Sequence, residues 1–226
     1  SSGVIQLLAD MQTGTVNVGG TLDASAPNGG DGGFIEASAA RVKIQPGAQV
    51  STAAPGGTTG TFLIDPEDFV IGGNATDNIS GADLSALLVT NSVTITTAMG
   101  TDATVTGTPD QTNLFTSFDG NGDIFVNEAV SWTASGSATT LTLNAVRDVN
   151  INAAVTTDTG NLVACCGRDV NVNAVITTTN GSVLLSGGRN VNIDAVMTTT
   201  DGNITLCAAE NLTVSERITL TRGSSI

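Results

Sequence analysis

Histidine and tyrosine are absent from this sequence, aromatic residues make up 3%, and Lys and Arg together number 7 among 226 residues. Without histidine no Ser-His-Asp or Cys-His catalytic set can be assembled. Seven basic residues against 21 acidic ones leave a net charge of -14. That balance excludes nucleic acid as a partner, since phosphate binding needs clustered Lys and Arg. It equally disfavours attraction to anionic lipid. No apolar run is long enough to span a bilayer, so direct membrane insertion is not expected, and no signal peptide or basic targeting segment is visible. The acidity fits a secreted surface protein.

What the chain does have is repetition, which outranks other sequence signals. Three copies stand in register from Arg147 to Ala209: RDVNINAAVTTDTGNLVACCG, RDVNVNAVITTTNGSVLLSGG and RNVNIDAVMTTTDGNITLCAA. Arg147, Arg168 and Arg189 open them, and Gly160, Gly181 and Gly202 share one offset. A decaying fourth copy follows, with Glu210 in the arginine slot, and Leu141 and Leu143 belong to a half-unit upstream. Within a unit Val149, Ile151, Ala153 and Val155 alternate with Asn150, Asn152 and Ala154, which is a strand period. A Thr-rich turn ending in Gly then leads to a second short strand carrying Leu162, Ala164 and Cys166. One such unit cannot bury its inward face alone, but stacked copies can. Twenty-one residues are too few for a propeller blade, and no helix is present for a leucine-rich repeat. The reading is an all-β, right-handed parallel β-helix with coils of about 21–28 residues. Val149, Val170 and Val191 form an inward column, and Asn150, Asn171 and Asn192 an outward one whose amides bond along the stack.

A single elongated domain is expected over 1–226, a fragment of a longer chain, since both ends fall within strands or coils. Residues 1–72 form long coils, 73–123 a helix and loop excursion, and 124–226 the regular coils. About ten coils at ~4.8 Å each give a rod of roughly 50 Å. Glycine-rich turns at 27–33 and 55–60 supply corners. They lack the lysine and spacing of a phosphate-binding loop. Residues 79–89 are the one good helix candidate, with Ser80 as cap and Leu84, Leu87 and Leu88 on one face. Residues 99–122, with Phe115 and Phe118, read as an excursion, after which strands resume at Ile124–Val126 and Val130–Trp132.

Several phrases in this order carry a resemblance: GGFIEAS at Gly32–Ser38, with Phe34, Ile35 and Glu36, then Val42-Lys-Ile, Val50-Ser-Thr-Ala-Ala, and GTFLIDPEDFVI from Gly60 through Asp68 to Ile71. ISGADLSALL follows from Ile79, then Val93-Thr-Ile-Thr-Thr, GNGDI at Gly120–Ile124 and LTLNA at Leu141–Ala145. Together these resemble bacterial two-partner-secretion exoproteins, the large adhesins of the filamentous haemagglutinin type, over most of the chain. The resemblance implies secretion through an outer-membrane transporter and display at the bacterial surface. It further implies attachment to glycan or matrix, aggregation or biofilm formation. The amino-terminal secretion phrase of that family is missing, which places these residues downstream of the transporter-engaging part.

Candidate sites are few. Asp119, Asn121 and Asp123 sit at positions one, three and five of a calcium-type loop. Ile124 then replaces the turn glycine and Val130 the bidentate Glu, so a polar turn is the preferred reading. Arg147, Arg168 and Arg189 form either a strip for anionic glycans or turn residues neutralised by the Asp148, Asp169 and Asn190 that follow them. Of three cysteines, Cys166 faces inward. Cys165 and Cys207 lie two units apart, roughly 10 Å, beyond the ~7 Å Cα limit of a disulfide. They are small strand residues, or an outward thiol column that crosslinks neighbouring molecules or holds a metal. Asn74, Asn78, Asn180, Asn203 and Asn211 match the N-x-[ST] sequon. Lyases of this architecture pair an acidic cluster with a basic residue, whereas here Lys43 is the one lysine and the acids are scattered. Neither catalysis nor a cofactor is expected. The alternative to an adhesin segment is a self-associating subunit of an extracellular filament, stacked end to end.

Overall fold

The computed structural model describes residues 3–100 and 120–222. Its chain winds as a parallel β-helix whose regular coils hold three strands each. The first sheet has eight strands, from Val4–Leu8 through Phe34–Ser38, Thr61–Asp65, Ser92–Thr96, Thr139–Ala145, Gly160–Cys166 and Val183–Gly187 to Ile204–Ala208. The second has six, beginning at Phe69–Ile71 and continuing through Ile124–Val126, Val149–Ile151, Asp169–Val172, Asn190–Ile193 and Asn211–Val214. The third has five: Val130–Thr133, Val155–Asp158, Ile176–Thr179, Met197–Thr200 and Ile218–Thr221. Two further pairs, Thr15–Val18 with Arg41–Ile44 and Thr21–Asp23 with Gln49–Ser51, complete the early coils.

Register confirms the repeat. Leu162 pairs with Val183 and Val183 with Ile204, and Val170 with Val191. Early coils are longer, since Val4 pairs with Phe34 and Phe34 with Thr61. The eight layers of the first sheet therefore give roughly 34 Å at ~4.8 Å per step, shorter than the rod the sequence suggests. The interior is the column set Val149/Val170/Val191, Ile151/Val172/Ile193 and Leu141/Leu162/Val183, all but fully buried.

Two readings need correction. The Thr-rich segment is a strand rather than a turn, and its middle residues Thr157, Thr178 and Thr199 point inward and are buried. Two of the three hydroxyls are accommodated inside, Thr178 Oγ1 lying 2.9 Å from Gly181 O and 3.1 Å from Thr199 Oγ1, whereas Thr157 Oγ1 is buried without a hydrogen-bond partner. The alternation from Val149 to Val155 is not one strand either. It breaks after Ile151, with Asn152 exposed and Ala153 at a bend, where the chain passes from the second sheet to the third.

The corner from the third sheet to the first uses a left-handed residue, Thr159, Asn180 or Asp201, at φ 56, 53 and 54. Asn and Asp tolerate that conformation, whereas a β-branched residue is strained there. Thr159→Asn is accordingly expected to raise stability by about 1 kcal/mol, read as a higher urea midpoint at unchanged slope. The glycine after each corner does a different job. A Cβ on Gly181 would sit 1.8 Å from Gly160 O, and one on Gly202 1.8 Å from Gly181 O. Close stacking of successive corners, not φ, requires glycine there.

The helix is Gly81–Leu88, capped by Ser80, whose side chain accepts from Asp83 N, with Leu84, Leu87 and Leu88 buried. It packs between Gln49–Ser51 and Val130–Thr133, standing in for a strand at the foot of the third sheet. A helix offers no sideways backbone donors, so side-chain amides satisfy the strand edges beside it. Buried Asn91 accepts from Thr52 N at 2.6 Å and donates to Val50 O at 3.0 Å and Leu87 O at 2.7 Å. Buried Asn78 likewise accepts from Val70 N at 2.8 Å and donates to Val42 O at 2.7 Å. Trp132 is core: its indole N–H donates to Thr139 Oγ1 at 3.0 Å, and that hydroxyl donates to Leu88 O at 2.6 Å.

Candidate functional site

The arginine column is built at the corner that enters the second sheet. Each guanidinium grips an aspartate of the coil before it through two parallel contacts. Arg147 Nε donates to Asp123 Oδ1 at 2.8 Å, Arg168 Nε to Asp148 Oδ1 at 2.8 Å and Arg189 Nε to Asp169 Oδ1 at 2.9 Å. In each pair Nη2 meets the other carboxylate oxygen. The same Oδ1 atoms accept backbone N–H groups of the next coil, from Asp148 at 3.1 Å, Asp169 at 3.0 Å and Asn190 at 3.2 Å. The counter-charge therefore comes from the preceding coil and not from the residue following each arginine. Side-chain exposure rises along the column, from 3% at Arg147 to 13% at Arg168 and 43% at Arg189. Buried Arg147 cannot meet a glycan, so the three do not make a surface strip. The hydrogen bond from Arg189, followed by its charge, holds Asp169 below the usual carboxylate range.

The asparagine column is a ladder. Asn171 Nδ2 donates to Asn150 Oδ1 at 3.0 Å and Asn192 Nδ2 to Asn171 Oδ1 at 2.9 Å. A second ladder, missed at the sequence level, runs from Asn173 to Asn152 at 2.8 Å and on to Asn127 at 2.9 Å. Both are internal fastenings between coils.

The calcium-type loop is otherwise employed. Asp119 lies outside the described residues. Asp123 is fully buried, with both carboxylate oxygens engaged by Arg147, so it is not available as a metal ligand. Among the described residues no group of three acidic, Cys or His side chains could hold a metal. The loop instead closes on an earlier phrase: Gly122 N and Asp123 N both donate to Asp68 Oδ1 at 2.8 Å. GTFLIDPEDFVI and GNGDI, far apart in sequence, thus meet in space.

The cysteines are free. Asn144, Cys165, Ser186 and Cys207 stand in one column of the first sheet. Cys207 is exposed, whereas Cys165 is half-buried and burial raises its pKa, which keeps it a thiol. Cys166 packs against the core, and burial pushes its thiol up to about 11. Of the sequon asparagines, Asn78 is buried, while Asn74, Asn180, Asn203 and Asn211 are exposed.

Glu36 lies close enough to half-buried Asp65 that burial first, and its charge second, raise the Asp65 pKa. A hollow of about 240 Å³ beside the arginine column is lined, among the described residues, by Met99, Val146, Arg147, Gly167 and Arg168.

The outer face of the third sheet is different in kind. Ser131, Thr156, Thr177, Thr198 and Thr219 stack in one column, and Thr133, Asp158, Thr179, Thr200 and Thr221 in the next. These side chains alternate with the buried ones and reach solvent. Rungs repeat at ~4.8 Å and the two columns lie ~6.6 Å apart along each strand. One carboxylate, Asp158, interrupts this hydroxyl surface. Comparison with family models, with curated proteins and with solved structures returned no match.

Proposed function

We propose that this chain is a non-enzymatic shaft of a secreted bacterial surface adhesin that attaches to glycan or extracellular matrix. The observation that carries the reading is the two-column hydroxyl face of the third sheet, in register over five strands. Repeated weak donors and acceptors on a rigid support suit a repeating polyhydroxyl partner, because each added contact binds at high effective concentration. The acidic surface, net -14, favours neutral glycans over sulfated or uronic ones. The asparagine and arginine–aspartate columns are engaged in holding coils together, which leaves the hydroxyl face of the third sheet as the repeated polar surface offered for recognition. Secretion through an outer-membrane transporter of the two-partner type rests on the sequence phrases. The test is retention of purified chain on immobilised neutral glycans, with negative-stain microscopy of the same sample. Isolated short rods that are retained, with or without reductant, support the reading. Rods retained on no glycan contradict it.

A second reading, self-association into an extracellular filament, is favoured by the outward Cys165–Ser186–Cys207 column with Cys207 exposed. It requires long fibres that fray under reductant and weaken in Cys207→Ser.

A further inference from the structure

The carboxylate column at the entrance to the second sheet is one member longer than the arginine column. Asp68, Asp123, Asp148 and Asp169 each precede the first inward apolar residue of their strand, and Phe69 pairs with Ile124, Ile124 with Val149 and Val149 with Val170. Asp123, Asp148 and Asp169 are each matched by an arginine of the next coil. The position that would match Asp68 is Gly122. Its φ of +82 and a Cβ position 2.9 Å from the Val146 Cβ leave no place for a longer side chain.

Asp68 is 6% exposed. Its Oδ1 accepts from Gly122 N and Asp123 N at 2.8 Å each, but its Oδ2 is buried with no hydrogen-bond partner. Among the described residues, the charged groups at this junction are Asp123 on the next coil, already claimed by Arg147, Glu67 on its own corner, whose Oε2 accepts from Gly120 N at 3.3 Å, and Arg41 at the same corner of the preceding coil, where Glu67 N donates to Ala40 O. An ionised Asp68 is thus a buried carboxylate with one orphan oxygen, beside a second carboxylate and without a partner from the Arg147, Arg168 and Arg189 column.

We propose that Asp68 is a proton-operated clasp: protonated, it holds the Gly120–Asp123 turn on the Pro66–Asp68 corner, and ionised, it loosens that junction. Burial is the largest cause of a pKa raised from 3.8 to about 6, opposed by the backbone N–H groups and assisted by Asp123. A folded-state pKa above the unfolded one means the native junction binds the proton more tightly. Its contribution to stability is full below the unfolded value and is lost as pH rises through about 6.

Hydrogen exchange of the Gly122 and Asp123 amides tests this, as protection factors corrected for intrinsic rate. Between pH 7.5 and pH 5 protection should rise roughly tenfold. Asp68→Asn should show the acid level at both pH values. Equal protection in the wild type at both pH values overturns the clasp, as does a variant that keeps the rise. Calcium added at pH 7.5 should change nothing. Increased protection with calcium would make Oδ2 a cation ligand and overturn the proton assignment.

Discussion

Replacing Arg147 by Ala is expected to cost about 3–5 kcal/mol, because it strands the fully buried Asp123 carboxylate without its counter-charge. The same change at Arg189, whose side chain is 43% exposed, should cost about 1 kcal/mol or less, since water and salt replace the lost partner. The two contacts have the same fork geometry and differ in burial, so the contrast isolates desolvation. Restoring neutrality should recover much of the loss: Arg147→Met combined with Asp123→Leu should unfold closer to wild type than Arg147→Ala does. Urea midpoints of the four proteins check this. Equal losses at Arg147 and Arg189 would mean that burial does not govern the ladder.

The second large effect belongs to a glycine. Gly181→Ala is expected to destabilise by about 3 kcal/mol or more, at the upper end for overpacking, because the obstructing atom is backbone. The added Cβ would lie 1.8 Å from Gly160 O, so the two corners would have to separate and their strands lose register. Gly20→Ala, whose Cβ would meet nothing within 4 Å, should stay within about 0.5 kcal/mol of wild type. Thermal unfolding of both separates close approach from generic loss of glycine.

Much of the fold was readable because the signal repeats. Alternating Val149, Ile151 and their copies could be nothing but strand columns, and the asparagines in phase with them had to stack. Ser80 with the three leucines announced the helix, expected over 79–89 and found at Gly81–Leu88 with Ser80 as its cap. The third sheet was hidden by chemistry. Thr157, Thr178 and Thr199 look like turn residues, yet their β-branched side chains suit a strand and pack inward, with the Thr178 hydroxyl reaching Gly181 O. The arginine partners were hidden by distance along the chain. Asp148 is adjacent in sequence to Arg147, but stacking brings it instead under Arg168, 2.8 Å from its Nε. Asn78 and Asn91 gave no periodic signal, as each solves a single problem created by the helix. Asp68 was visible in principle: aligning EDFVI with GDIFV, RDVNI and RDVNV puts four aspartates in one column, and Gly122 where an arginine would stand to match Asp68.

Electrostatics of the two ends of that column run in opposite senses. Asp169, with its pKa depressed by Arg189, supports the fold at neutral pH and loses that contribution in acid. Asp68 supports it in acid and loses it as pH rises through about 6. A single pH profile of global stability therefore mixes them, and the amides at Gly122 and Asp123 are the place to see the second alone.

The most direct test compares two surfaces in one assay: retention on immobilised glycans of Thr177→Lys/Thr198→Lys and of Arg189→Gln, each first shown to be folded. The hydroxyl-face account predicts that the threonine variant loses retention while the Arg189 variant binds like wild type. Full retention by the threonine variant with loss in Arg189→Gln would contradict it, and would move recognition to the open end of the arginine column.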